Sequence, residues 1–245
     1  MERAERSAAG PEPAAPPPAL DAAALPPALR QDMILAGDDY LACRAALGRR
    51  GRSLFDDLTG GRPLWPDTHY PRGDVYDPLS HAQYYFHRHR EGEVGHFHTF
   101  LRPRGMPEAI QPADPAERRP PGDNNALTHF VAIALDDAAR PIELFTTNRW
   151  VTAETWYRAE DVIALLPRFH IGHDQPSDLL NRWLEAVMLL FRPQIAALLR
   201  ARDATVERHR HRLPGIAVLE DRGLEVTSVM AVDAAAQIAA LQAWR

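Results

Sequence analysis

The sequence predicts an α+β fold: an antiparallel meander, built on a histidine-rich hairpin, packed against a long helix in the C-terminal half. Two runs of strand character, 81–90 and 95–102, flank a break at Gly92, and two more, 127–135 and 142–147, follow them around a turn at 136–141. A broad apolar stripe at helical spacing, Leu180, Trp183, Leu184, Val187, Leu190, Phe191, Ile195, Leu198 and Leu199, marks the long helix. Strands grouped together with helices before and after them are the pattern of segregated α and β layers.

Taken in order, residues 1–27 carry Pro11, Pro13, Pro16, Pro17, Pro18, Pro26 and Pro27 among alanines and read as a disordered tail, leaving 28–245 as one domain. From Leu29, the residues Met33, Ile34, Tyr40, Leu41, Ala45 and Leu47 lie near helical spacing, and Gly48 with the arginines after it stops the helix. The stretch 58–78 is dense in glycine and proline but holds Trp65, Tyr70 and Tyr76, so it reads as a packed loop. Gly92 and Glu93 suit a two-residue type II′ turn, which sets a register: His89 faces His96, Arg88 faces Phe97, His87 faces His98 and Tyr85 faces Phe100. After a polar, proline-rich excursion at 103–125 come the third and fourth strands. A short helix is expected at 159–166. The long helix spans 177–202, is capped by Ser177 or Asp178, and is bent or broken by Pro193. A last hairpin, 216–219 with 224–230 around Asp221, Arg222 and Gly223, and a helix at 233–243 complete the chain. No internal repeat is present.

Composition removes several classes of function. The 28 basic residues of the 245 are all arginine, so a lysine nucleophile, a lysine Schiff base and a P-loop lysine are excluded. The formal net charge of −5 argues against bulk attachment to nucleic acid or anionic lipid. Cys43 is the one cysteine, which rules out an intramolecular disulfide and any multi-cysteine zinc site; a metal must take histidine and carboxylate ligands. No run of about 18 apolar residues could span a membrane, and the first residues, with Glu2 and Glu5, have no apolar core for export, so the expected location is the cytoplasm.

Seven of the eleven histidines fall between His69 and His129, and His87, His89, His96 and His98 lie within twelve residues. In the register above these four share one sheet face, with directly opposite Cβ atoms about 5 Å apart and i, i+2 neighbours roughly 6.5–7 Å apart. Three or four imidazole nitrogens can then converge on one divalent transition metal: zinc, iron, copper, manganese or nickel. Glu91, on the same face, and Glu93, at the turn, are the candidate carboxylate ligands or base. His87, His89 and Glu93 also form HxHxxxE, similar to part of the first metal motif of cupins, but His81 and Phe100 stand where that motif has glycines and no second motif follows. Two other readings of the same face stay open: a metal-free pocket for acid–base work or anion binding, and histidines that only stack and hydrogen-bond across strands. His129 joins the cluster if the third strand adjoins the hairpin.

The segment FTTNRWVT ends the fourth strand with Thr147, Asn148, Arg149 and Trp150, a hydroxyl, an amide, a guanidinium and a flat ring suited to an anionic or planar ligand. The plainer alternative has Asn148 capping a turn, Trp150 filling the core and Arg149 paired with Glu154. The basic run from Arg200 to Arg212 reads as a solvated face, given Asp203 and Glu207 and the lack of interleaved aromatics. No serine sits in a GxSxG elbow, and Cys43 falls within a helix without an activating partner.

The block YPRGDVYDPLSHAQYYFHRHREGEVGHFHTFLRP, from Tyr70 to Pro103, with FTTNRWVT and the helix after Ser177, resembles a bacterial family of uncharacterised domains over about residues 30–240. The resemblance implies no activity, ligand or catalytic residue. The leading expectation is a cytoplasmic protein in which His87, His89, His96 and His98 hold a metal, Tyr85 and His129 adjoin it, and Asn148 with Arg149 orients a small or anionic substrate, with hydrolytic or oxidative chemistry. The competing class is a non-catalytic small-molecule or protein-interaction module using the same face without metal.

Overall fold

The structure, a computed structural model, describes residues 19–117 and 122–244; most of the expected tail, 1–18, lies outside the described residues. It is an α+β fold. Helix α1, Pro27–Arg49, begins with a proline whose missing N–H costs a first-turn residue nothing. It buries Met33, Ile34, Gly37, Tyr40, Cys43 and Leu47. Helix α2, Leu54–Thr59, is held by a reciprocal capping box between Ser53 and Asp56. Six strands follow one another in a single antiparallel sheet, in spatial order β1 to β6. They are β1 Tyr70–Tyr76, β2 Ala82–His87, β3 Gly95–Leu101, β4 Thr128–Leu135, β5 Pro141–Thr147 and β6 Val226–Ala231. Between β5 and β6 run α3 Arg149–Thr152, α4 Ala159–Leu165, α5 Asp178–Leu190 and α6 Arg192–Arg212; α7, Ala234–Gln242, ends the described chain.

One face of the sheet carries the apolar core. Tyr84, Phe86, Phe97, Leu101, Val131, Ile133, Leu135 and Leu144 pack with α1 and α5 into one buried cluster. Trp183 of α5 is its pivot, 5.9 Å from the Phe97 ring and 6.1 Å from the Tyr40 ring of α1. Gly37 lets α7 close onto α1, since a Cβ there would stand 3.1 Å from Ile238.

Several expectations need correction. The 58–78 stretch is not all loop: it contains the end of α2 and the edge strand β1, whose Pro71 an edge position tolerates. The long helix is two helices, with Ser177 capping α5, a break at Phe191, and Pro193 in the first turn of α6, where its ring needs no preceding donor. Helix α6 then runs on through the basic run to Arg212. The last hairpin does not form; Val218–Glu220 is a 3-10 turn, and β6 pairs with β5 instead.

The hairpin register also differs. Strand β2 stops at His87, the connection covers residues 88–94, and the pairs are His87↔His96, Tyr85↔His98, Phe86↔Phe97 and Gln83↔Phe100. The register is displaced by two residues from the type II′ expectation, and because side chains alternate with period two the histidines keep their face. Gly95 makes the close approach of the two strands feasible, for a Cβ there would lie 2.5 Å from both the His87 carbonyl oxygen and the Phe86 ring.

Candidate metal centre

On the face opposite the apolar core, β2 presents Tyr85 and His87, β3 presents His96, His98 and Phe100, and β5 presents Phe145. Opposite His98 and His96 on β4 stand Ala132 and Ala134, whose single methyl groups leave room for the two imidazoles. Simple alternation from Ala132 would bring Phe130 to this face, but the β3–β4 register shifts at Thr99/Phe100, so His129 takes the position opposite Phe100. A bulge that re-aims one side chain thus brings a further imidazole beside His98, ring centroids 4.9 Å apart and Nδ1 to Nε2 3.0 Å.

One ring nitrogen from each of His87, His96 and His98 lies within 4.8 Å of the others. Nε2 of His87 and Nε2 of His96 face one another at 2.7 Å. His96 and His98 are each 1% exposed and His87 is half-buried. The other nitrogen of His96, Nδ1, is held by the carboxylate of Glu93, itself 4% exposed. Arg90 stands 3.6 Å from the second Glu93 oxygen, donates to Glu143 at 3.1 Å and lies over the Phe145 ring at 4.2 Å. With the Nδ1 proton donated to Glu93, Nε2 of His96 keeps its lone pair for an ion, the usual outer-shell arrangement for a metal-ligating histidine.

Burial sets the charge states. It holds His87 down to about 3, with His96, His89 and His69 adding repulsion, and His96 down to about 2, with His89 and Arg90 adding to it. His98 is lowered well below the usual imidazole range by burial first and then by His129. His129 falls to about 3, from burial and then the Arg202 charge. Burial raises Glu93 to about 7 against the pull of Arg90 and His89. Each of these shifts favours the neutral form of the imidazole, the form that ligates a metal.

The other sequence candidates fall into two groups. Tyr85 and His129 join the cluster, Tyr85 lying 5.3 Å from the His87 ring and 5.1 Å from the His98 ring. His89 is exposed on the 88–94 connection, with ring contacts at 4.5 Å to His87 and 5.0 Å to His96, outside the close set of three nitrogens. Glu91 is exposed on the same connection, and Glu93 reaches the cluster through His96.

Thr147, Asn148, Arg149 and Trp150 lie apart from the histidine cluster, and three of them have protein partners. Asn148 caps α3 and donates to the Val218 carbonyl at 2.8 Å. Arg149 pairs with Glu220 at 2.5 Å and with Glu117, not with Glu154. Trp150 donates to the Leu224 carbonyl at 3.0 Å, and the Thr147 hydroxyl is buried without a protein partner. Arg149, Glu117 and Glu220 line a surface cleft of about 370 Å³ that none of the clustered histidines lines.

Sequence reasoning missed two contributors. Glu154 is buried, accepts the His129 backbone N–H at 2.8 Å and is raised to about 7 by burial against the Arg202 charge. His69, immediately before β1, stacks on Tyr85 with centroids 3.9 Å apart and reaches the His87 ring edge at 5.5 Å. Its signal was present in the pair His69 and Asp74, but only the unrecognised edge strand brings them to the hairpin.

The molecule is therefore an α+β fold with an imidazole triad, two of its rings buried and one half-buried, on the sheet face opposite its helical core. The chain belongs to the family described as Domain of unknown function (DUF6969), whose model matches residues 35–232. No curated protein and no solved structure matches the chain. Among the described residues, no helix is long and apolar enough to cross a membrane.

Proposed function

We propose that this protein binds one divalent transition metal through His87, His96 and His98, in the cytoplasm, and uses the position left open on the ion for a small or anionic substrate in hydrolytic or oxidative chemistry. The observation that carries the reading is the buried His96 ring, with Nδ1 on Glu93 and Nε2 2.7 Å from Nε2 of His87. Three nitrogens bound at about 2.0–2.1 Å to a tetrahedral ion sit roughly 3.3 Å from one another, inside the 4.8 Å limit that encloses the three ring nitrogens here. Imidazole donors suit zinc, copper, iron and nickel, and three protein ligands leave a fourth position for water or substrate.

The test is elemental analysis of protein purified without a histidine tag or chelator, then reconstituted with each metal in turn. About one equivalent in the wild type, lost in His87→Ala and in His96→Ala with the circular-dichroism spectrum retained, is the expected result. A wild-type protein that neither retains nor takes up metal would overturn the reading and favour a metal-free interaction module on the same face.

A further inference from the structure

Two rings of the imidazole triad, His96 and His98, are 1% exposed, and the third, His87, is half-buried. The triad's ring neighbours Tyr85, Phe100, His129 and Phe145 are all buried. Among the described residues, the exposed rings that touch it are His69 and His89, and both touch His87, its half-buried member, at 5.5 and 4.5 Å. They approach from opposite sides in sequence: His69 leads into β1, and His89 follows β2 by two residues.

His69 is held in place with more order than its exposure requires. Its side chain is 45% exposed, yet Nδ1 is paired with Asp74 Oδ1 at 3.1 Å and the ring lies flat on Tyr85, tilted only 8°. Asp74 is itself fixed, with Oδ2 accepting from Gln83 Nε2 at 3.0 Å while Gln83 Oε1 accepts from Arg102 Nε at 2.6 Å. With Nδ1 engaged by Asp74, Nε2 is the His69 nitrogen outside the carboxylate pair, repeating at the surface the carboxylate–imidazole pairing that Glu93 and His96 make in the interior. His89 offers a second exposed imidazole on a connection containing Gly92 at φ +83°.

We infer that His69 and His89 form the loading route of the metal centre: they take a hydrated divalent cation from solvent and pass it to His87, from which it reaches His96 and His98. The inference rests on the metal reading above. Capture exchanges a bound water for a surface imidazole nitrogen, the handover exchanges that nitrogen for His87, and His96 and His98 then displace further waters, with no change in the oxidation state of the ion. The two surface histidines govern how fast the centre fills, while the inner three set how tightly it holds.

The experiment uses untagged, chelator-stripped full-length protein mixed with cobalt(II) chloride. Uptake is followed by ligand-field absorption in a stopped-flow instrument, and bound cobalt is measured at the end point. The double variant His69→Ala/His89→Ala should fill about tenfold more slowly or worse and still reach the wild-type cobalt content. Asp74→Asn, which leaves the imidazole but removes its charged orienting partner, should fall between the two. An unchanged rate in the double variant would overturn the inference, as would a reduced final content, since the two histidines would then be ligands of the resting centre. Failure of the wild type itself to take up cobalt would overturn the metal reading together with this one, an outcome distinct from both.

Discussion

Two buried polar regions of this molecule solve the same problem in opposite ways. Where the chain enters α5, the side-chain amide of Asn181 and the carboxylate of Asp77 have all their polar atoms matched. Asn181 Oδ1 accepts from the Tyr84 hydroxyl at 2.5 Å, and its Nδ2 donates to the carbonyls of His173 and Gln175 at 2.8 and 3.0 Å. Asp77 accepts the backbone N–H groups of Leu79, Ser80 and Gly172 at 2.8, 2.7 and 2.6 Å. On the histidine face nitrogen meets nitrogen, His87 with His96 at 2.7 Å and His98 with His129 at 3.0 Å. Such a pair is joined either by the N–H of one neutral ring donating to the lone pair of the other or by a cation bound between them. A region whose donors and acceptors match is complete as a structural tie, whereas one rich in lone pairs has capacity left for something else. That contrast, more than the number of histidines, separates a site from a scaffold.

The contrast is broken or upheld most strongly by metal itself. A ligand present at a thousandfold excess over its dissociation constant stabilises the folded state by about 4 kcal/mol, which for a chain of this size raises the melting temperature by roughly 8–16 °C. Thermal unfolding of the stripped protein with and without zinc should show that rise. The rise should vanish in His96→Ala and persist in a variant of the α5 region. A shift of equal size in His96→Ala would place the metal elsewhere.

Asn181→Leu tests the opposite half. It leaves the Tyr84 hydroxyl and two carbonyls without partners in a site 1% exposed, and should lower stability by about 3 kcal/mol in urea melts, since each buried group left unsatisfied costs on the order of 1–3 kcal/mol. Metal content should not change.

Asp77 gives the pH dependence. Burial alone would raise its pKa, but the N–H groups of Ser80, Gly172 and Leu79 outweigh it and hold the carboxyl below its usual range. A carboxylate with a lowered folded value contributes stability that is fully present above its unfolded value, about 3.9. The contribution is lost as pH falls through the folded value. Asp77→Asn should therefore cost about 2 kcal/mol at pH 7, and the gap between wild type and variant should narrow below about pH 4. A gap that stayed constant down to pH 2 would show that the carboxylate charge plays no part.

The sequence made the histidine face legible for a reason that survives an error in detail. His87, His96 and His98 have the same parity along their strands, so a hairpin displaced by two residues exchanges the partner of His96 from His89 to His87 without turning any ring to the other face. His129 was not legible with the same certainty, because its place depends on a bulge that no periodicity announces. Strand β1 was hidden by Pro71 and Gly73, residues that lower strand propensity but suit an edge. For Thr147, Asn148, Arg149 and Trp150 the sequence showed residue types suited to a ligand but not the partners that hold them. Only the fold shows that Val218, Leu224, Glu117 and Glu220 engage Asn148, Trp150 and Arg149.

The finest division between site and scaffold runs through Glu93. As a direct ligand, its loss would remove a metal–oxygen bond; as the partner of His96 Nδ1, its replacement by glutamine keeps an oxygen that accepts the same proton but withdraws the negative charge that makes the imidazole a stronger donor. Glu93→Gln should then retain the full equivalent of metal at saturation, with affinity lowered about tenfold, as expected for an outer-shell change. Competition with a chromophoric chelator measures that affinity. A loss of several hundredfold or more would make Glu93 a ligand in its own right, and an unchanged affinity would mean that the Glu93–His96 pair only fixes the hairpin, as the matched network does at α5.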